Sequence, residues 1–243
     1  MDRPGGRMTI AHDILRLPRM PRPLRVVLSA VLLLIAAPYV ITPLYRFGEP
    51  VSTVMLWRQF TGQRVERIYM PLPRIAPSLP LAVIVAEDGR FCTHRGIDLA
   101  SLREVINQAD DLDDLRGAST LTQQVAKNLF LWQGRSYVRK ALEMPLALWI
   151  DLVLPKRRVL EIYLNIAEWG PNGEFGAEAA ARRDFGRPAR DLSPYQAALM
   201  AASLPNPHDR DPRRPGPALR RLAGLYVGRS EQAGGATACL RAH

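Results

Sequence analysis

Cysteine is scarce in this chain: Cys92 and Cys239 are the two among 243 residues. They stand far apart and match no metal-ligand spacing, so neither a zinc module nor a disulfide framework is expected. Nucleic-acid signatures are missing as well: there is no zinc-finger spacing, no aromatic RNA-binding signature and no basic heptad region. No internal repeat is evident, and β-rich segments are few. The widest gap is in charge, because no residue from Val26 to Tyr45 (VVLSAVLLLIAAPYVITPLY) carries one.

Twenty uncharged residues match the length of a helix that crosses a bilayer. Arg25 and Arg46 bracket the run, and residues 1–25 hold six arginines against Asp2 and Asp13. A buried core helix would not account for a basic flank at the chain start. A cleaved signal peptide would need a shorter apolar region followed by small residues, and in LIAAPYV a proline follows the alanines at once. The run is therefore read as an uncleaved anchor, with residues 1–25 as a cytoplasmic basic tail and the chain from about residue 46 onward outside. The formal net charge of +10 calls for an anionic partner: acidic lipid, a phosphate-bearing substrate or, on charge alone, nucleic acid.

Beyond the anchor, residues 50–80 mix apolar and basic positions and end in prolines, which reads as a short helix, a turn at Gly62, a possible strand and extended chain. LPLAVIVA (79–86) is a buried helix or strand, and its length does not arbitrate. ADDLDDLRG (109–117) reads as a solvated mobile loop; a calcium loop would need spaced ligands closed by a glutamate. Helix signals then dominate. TLTQ (120–123) is a capping box with Thr120 at the N-cap and Gln123 three residues on. Leu121, Val125 and Leu129 make its buried stripe. Tyr137–Leu154 carries Leu142, Leu146, Trp149 and Val153 at helical spacing, and KRRVLEIYLN (156–165) is a further helix. SPYQAALMAASL (193–204) opens with Ser193, Pro194 and Gln196 as cap, first residue and box partner. The soluble part is expected to be mainly α.

Three stretches could carry chemistry. VAEDGRFCTHRG (85–96) ends an apolar run on two adjacent acids, Glu87 and Asp88, which either cap a surface turn or sit at the lip of a cleft. In GASTLTQQVAKNLFL (117–131) small residues precede a capped helix start, a recipe for phosphate binding; a plain structural helix with a solvated Lys127 explains it equally well. In YVRKALEMPLALWID (137–151), Arg139 and Glu143 are an i, i+4 pair. At the surface such a pair contributes ~0.3–0.5 kcal/mol, but here Lys140 adds a second cation at a core edge, which suits a functional group. Pro145 should kink this helix, unless the helix begins elsewhere.

EDGRFCTHRG, GASTLTQQVAKNLFL, RKALE and KRRVLEIYLN stand in the order and rough spacing of the peptidoglycan glycosyltransferases, and residues 50–210 resemble that family. IAEWGPNGEFGAEAAARRDFGRPARDLSPYQAALMAASLPNP resembles its single-domain members. The serine-x-x-lysine and lysine-threonine-glycine motifs of the fused transpeptidases are absent. The resemblance implies a lysozyme-like, α-rich glycosyltransferase lobe over residues 46–210 with a smaller membrane-proximal jaw, preceded by the transmembrane helix 26–45 and followed by a C-terminal helix and polar tail, 211–243.

It also implies roles. Glu87 matches the general base, which takes the proton of the acceptor GlcNAc 4-hydroxyl of lipid II. Glu143 matches a second essential glutamate, which organises cations or a metal at the donor's pyrophosphate. Asp88 and His94 take orienting or electrostatic roles at the substrate site, and Phe91 packs. Ser119, Thr120, Gln123 and Gln124 line the donor cleft. Lys127, Arg139 and Lys140 meet the charge on the departing pyrophosphate, shared with a divalent metal such as Mg2+ or Mn2+; no organic cofactor is implied. Glu161, Tyr163 and Asn165 read as structural, and Cys92 as a small filler. The partners implied are lipid II, the growing strand on its polyprenyl diphosphate, the membrane, and other wall-synthesis or division proteins. Nucleic acid is not among them. The location implied is the inner membrane of a Gram-negative bacterium, with the catalytic part in the periplasm. Two rivals stand: a peptidoglycan hydrolase or lytic transglycosylase, which needs no pyrophosphate site, and a non-catalytic scaffold, which needs neither glutamate.

Overall fold

The computed structural model describes residues 21–108, 119–134 and 136–240. The expected acidic loop lies outside the described residues. The chain divides into two units, residues 1–37 and 38–243. The first contains most of helix α1 (Arg22–Ile41), which has no buried residue and is long and apolar enough to cross a membrane. The α-helix begins four residues before the uncharged run. It then tightens into a 3-10 turn over Thr42–Arg46, where the Thr42 hydroxyl donates to Pro38 O at 2.6 Å.

The second unit is mainly helical. The apolar run before Glu87 is α3 (Ser78–Glu87), with Leu79, Val83 and Ile84 fully buried. It packs against α9 (Pro194–Ser203) and α10 (Pro217–Gln232). The alanines of α9 let the three backbones approach closely, and its capping box forms as its sequence requires. A second group joins α5 (Leu121–Phe130) to α6 (Tyr137–Val153) and α7 (Lys156–Ile166). Leu121 and Val125 of α5 are fully buried and Leu129 nearly so. α6 runs without a break through Pro145, whose ring faces solvent. The helix start predicted at Tyr137 is the observed one, with Ser136 as cap. Among the described residues, strand is confined to a two-residue parallel pair, β1 (Glu66–Arg67) with β2 (Glu174–Phe175).

The polar residues of α7 anchor the chain that leads into α3. Asn165 Nδ2 donates to Met70 O at 2.9 Å, and its Oδ1 accepts from Met70 N at 2.8 Å. Glu161 accepts from the Tyr69 hydroxyl at 2.7 Å and from Leu72 N at 2.8 Å. These contacts agree with the structural reading of both residues.

The cysteines depart from expectation. Cys92 and Cys239 form a disulfide across 147 positions of sequence. It ties the loop after Asp88 to the 3-10 turn Ala238–Leu240, and the filler reading of Cys92 is wrong. Two isolated cysteines at such separation leave no spacing pattern to read; folding brings their Cα atoms to 5.4 Å.

Candidate active site

Glu87 is the last residue of α3, and the backbone turns sharply at Asp88. The turn sends the two acids in different directions. Asp88 is buried: its Oδ1 and Oδ2 lie 2.9 and 3.1 Å from His94 Nε2, and Oδ2 accepts the Leu121 N–H at 2.9 Å. Glu87 stays half-buried, with Oε2 accepting from Gln124 Nε2 at 2.8 Å. Burial raises the Glu87 pKa, against the opposing pull of the Gln124 bond and of the Lys127 and Arg210 charges. A pocket of about 190 Å³ opens beside it, lined by Glu87, Asp88, Asp98, Ser101, Ser119 and Thr120.

The loop from Asp88 to Ile97 is held close to α6. Gly96 adopts φ +77°, and a Cβ there would stand 2.5 Å from Ala147 O. Only glycine accepts both the backbone angle and the contact. The Thr120 hydroxyl donates to Gly96 O at 2.6 Å, so the loop also carries the start of α5.

That helix start is closed by the protein itself. The Leu121 N–H goes to Asp88, the Gln123 N–H to Thr120 Oγ1 at 3.1 Å, and the Thr120 N–H to Gln123 Oε1 at 2.9 Å. Thr120 and Gln123 are almost fully buried, with their oxygens committed to this cap. The helix start that the sequence left open to a phosphate therefore has its first N–H taken by Asp88, and Thr120 and Gln123 hold the cap beside the pocket that Thr120 helps to line.

Cations gather one helical turn further on. Glu143, buried on α6, receives Arg139 Nη1 at 2.5 Å on Oε2 and Lys140 Nζ at 2.6 Å on Oε1. Lys140 also donates to the Ser119 hydroxyl at 2.7 Å. Lys127 is half-buried on α5, and among the described residues it has no hydrogen-bonded or ion-paired partner. Burial lowers its pKa, the neighbouring Arg139 and Lys140 lower it further, and Glu143 and Glu87 act the other way. Lys127 thus sits within the electrostatic reach of both glutamates.

The expected metal meets a donor set that does not suit a resident ion. Each Glu143 oxygen already accepts from a cation. Among the described residues, no group of three or more His, Cys, Asp or Glu side chains is placed to share an ion.

Two residues near Glu87 are not placed at the site by the sequence: Arg210 goes unnamed there, and Tyr163 reads as structural. Arg210, in the loop after α9, places its charge near Glu87 while donating to Ala202 O at 2.8 Å. Tyr163, taken as structural, donates to Gln124 Oε1 at 3.3 Å. Arg210 is one arginine in a basic, proline-rich stretch and carries no local signal; Tyr163 lies in the KRRVLEIYLN motif, but nothing in the motif points it toward Gln124.

A half-buried carboxylate facing a cation cluster in a helical lobe is equipped to deprotonate one group while an anion leaves from another. The chain belongs to the transglycosylase family: a family model described as Transglycosylase matches residues 54–226. A protein named biosynthetic peptidoglycan transglycosylase in Nitrobacter winogradskyi is 57% identical over 214 residues, which is 88% of this chain and 95% of that one. Relatives of the same name in Rhodopseudomonas palustris (strain HaA2) and Rhizobium meliloti are 58% and 48% identical. They cover 88% and 98% of this chain and 95% and 99% of their own length.

Proposed function

We propose that this chain is a peptidoglycan glycosyltransferase that polymerises lipid II into β-1,4-linked glycan strands. The observation that carries the reading is the half-buried Lys127, one helical turn from the Gln124 that bonds Glu87 and within electrostatic reach of both Glu87 and Glu143. Glu87 takes the proton from the 4-hydroxyl of the acceptor GlcNAc. The freed oxygen attacks the anomeric carbon of the strand's terminal MurNAc. The bond from that carbon to the diphosphate oxygen breaks, its electron pair leaves with the polyprenyl diphosphate, and the α-linkage becomes β. Lys127, with Arg139 and Lys140 held in place by Glu143, receives the developing charge. No step is routed through a metal. A hydrolase would have no use for this cation group, because no anion leaves when a strand is cut.

Placement at a membrane is supported by α1 and by the exposed Phe47, Trp57 and Phe60 beside exposed Arg46 and Arg64, a mixture suited to a headgroup surface. Two features support an N-terminus in the cytoplasm and a catalytic unit in the periplasm. One is the arginine-rich flank of α1. The other is the Cys92–Cys239 disulfide, since such bonds persist in oxidising compartments and are rare in the cytosol.

The test is to give the detergent-solubilised full chain either lipid II or preformed strands. Long strands from lipid II, with release of polyprenyl diphosphate, are expected. Shortening of preformed strands without polymerisation would favour a hydrolase instead.

A further inference from the structure

Tyr163 is buried on α7, and among the described residues its hydroxyl bonds toward Glu87 through one amide. Its hydroxyl donates to Gln124 Oε1 at 3.3 Å, and Gln124 Nε2 donates to Glu87 Oε2 at 2.8 Å. Elementary donor and acceptor rules set the order of this chain. An ionised carboxylate only accepts, so it must face the amide NH2. The amide oxygen then faces Tyr163, which serves as donor. If Glu87 is protonated the order can reverse: the acid donates to Oε1, and the turned amide donates to the phenol oxygen. A phenol is a better donor than acceptor, so Tyr163 favours the first arrangement.

We propose that Tyr163 is a positioning residue for the base: it holds the Gln124 amide in the orientation that serves ionised Glu87, without touching substrate. The proposal rests on the reading of Glu87 as the base. The other groups facing Glu87 do not reproduce this effect. Lys127 from α5 and Arg210 from the loop after α9 favour its charge, while Asp88 beside it opposes the charge. Tyr226 from α10 also feels the Glu87 charge, but its own proton is held more tightly by burial. None of these four bonds to the Gln124 amide among the described residues. Burial and the nearby Glu87 charge also hold the proton on Tyr163, so it remains a donor across the working pH range.

The experiment is a carboxyl titration of the full chain in detergent, with 13C-labelled glutamate and the Glu87 signal assigned by its loss in Glu87→Gln. Tyr163→Phe removes one oxygen and keeps the ring. Its Glu87 midpoint is expected to rise by about half a pH unit or more. Gln124→Ala should raise the midpoint at least as far, and the double variant should match Gln124→Ala alone. In polymerisation, the acid limb of kcat should move with the midpoint while KM stays put. An unmoved midpoint in Tyr163→Phe, with nothing changed but a lower Tm, would overturn the proposal. So would a Tyr163→Phe shift that survives undiminished in the Gln124→Ala background. If the wild type forms no polymer, the proposed reaction fails and the carboxyl titration still decides the role of Tyr163.

Discussion

Asp88 Oδ2 accepts the Leu121 N–H at 2.9 Å, so the acid beside the proposed base closes the helix that carries Lys127 and Gln124. One turn of chain thereby fixes Glu87 relative to both its hydrogen-bond partner Gln124 and the helix that carries Lys127. Asp88→Ala would leave His94 without its carboxylate and α5 without this cap. The loss expected is about 1.5–3 kcal/mol, the range for hydrogen bonds to a charged group. Chemical denaturation should show it at pH 7, with Asp88→Asn losing less because it keeps an acceptor.

Glu143 is buried between two cations, so removing its charge leaves those cations uncompensated. Glu143→Gln is expected to cost about 3–5 kcal/mol. Polymerisation should fall by about 100-fold or more, since the cations that meet the leaving group lose their anchor. Denaturation and steady-state rates together check this. A Glu143→Gln protein as stable as wild type would contradict the described packing.

The disulfide is a cross-link over 147 positions. A closed loop of this length stabilises by about 2–5 kcal/mol. Reduction, or the paired Cys92→Ser and Cys239→Ser change, should lower the Tm of the full chain. The loop from Asp88 to Ile97 should then exchange its amide hydrogens faster, which mass spectrometry reads directly.

The raised pKa of Glu87 has a sign for activity and a sign for stability. The base must be ionised, so the acid limb of the rate profile should lie above the ordinary glutamate range. For stability, a carboxyl whose folded pKa exceeds its unfolded value favours the fold at low pH, and that contribution is lost as pH rises through the folded value. Glu87→Gln should therefore unfold at the same temperature as wild type or higher at neutral pH, even though it is inactive. Thermal scans from acid to neutral pH check both halves.

Local sequence chemistry made much of this legible. The capping boxes at Thr120 and Ser193 and the Leu121, Val125, Leu129 stripe depend on residues within one or two helical turns, and they form as read. The Arg139, Lys140 and Glu143 group is legible for the same reason, since all three lie on one face of α6. What the sequence concealed depends on distant partners. LPLAVIVA, open between helix and strand on its own letters, forms α3 and packs against α9 and α10, far along the chain. Asp88 reaches an amide 33 positions away and so occupies the helix end that had been open to a phosphate. The disulfide and the contact of Tyr163 with Gln124 are likewise set by folding alone.

The most direct measurement is the rate of lipid II polymerisation by the full chain, wild type beside Glu87→Gln and Lys127→Met, at one pH with Tm recorded for each. The account predicts long strands from wild type, none from Glu87→Gln at unchanged or raised Tm, and a rate lower by about 100-fold or more for Lys127→Met. A folded Glu87→Gln protein that polymerises at the wild-type rate would contradict it.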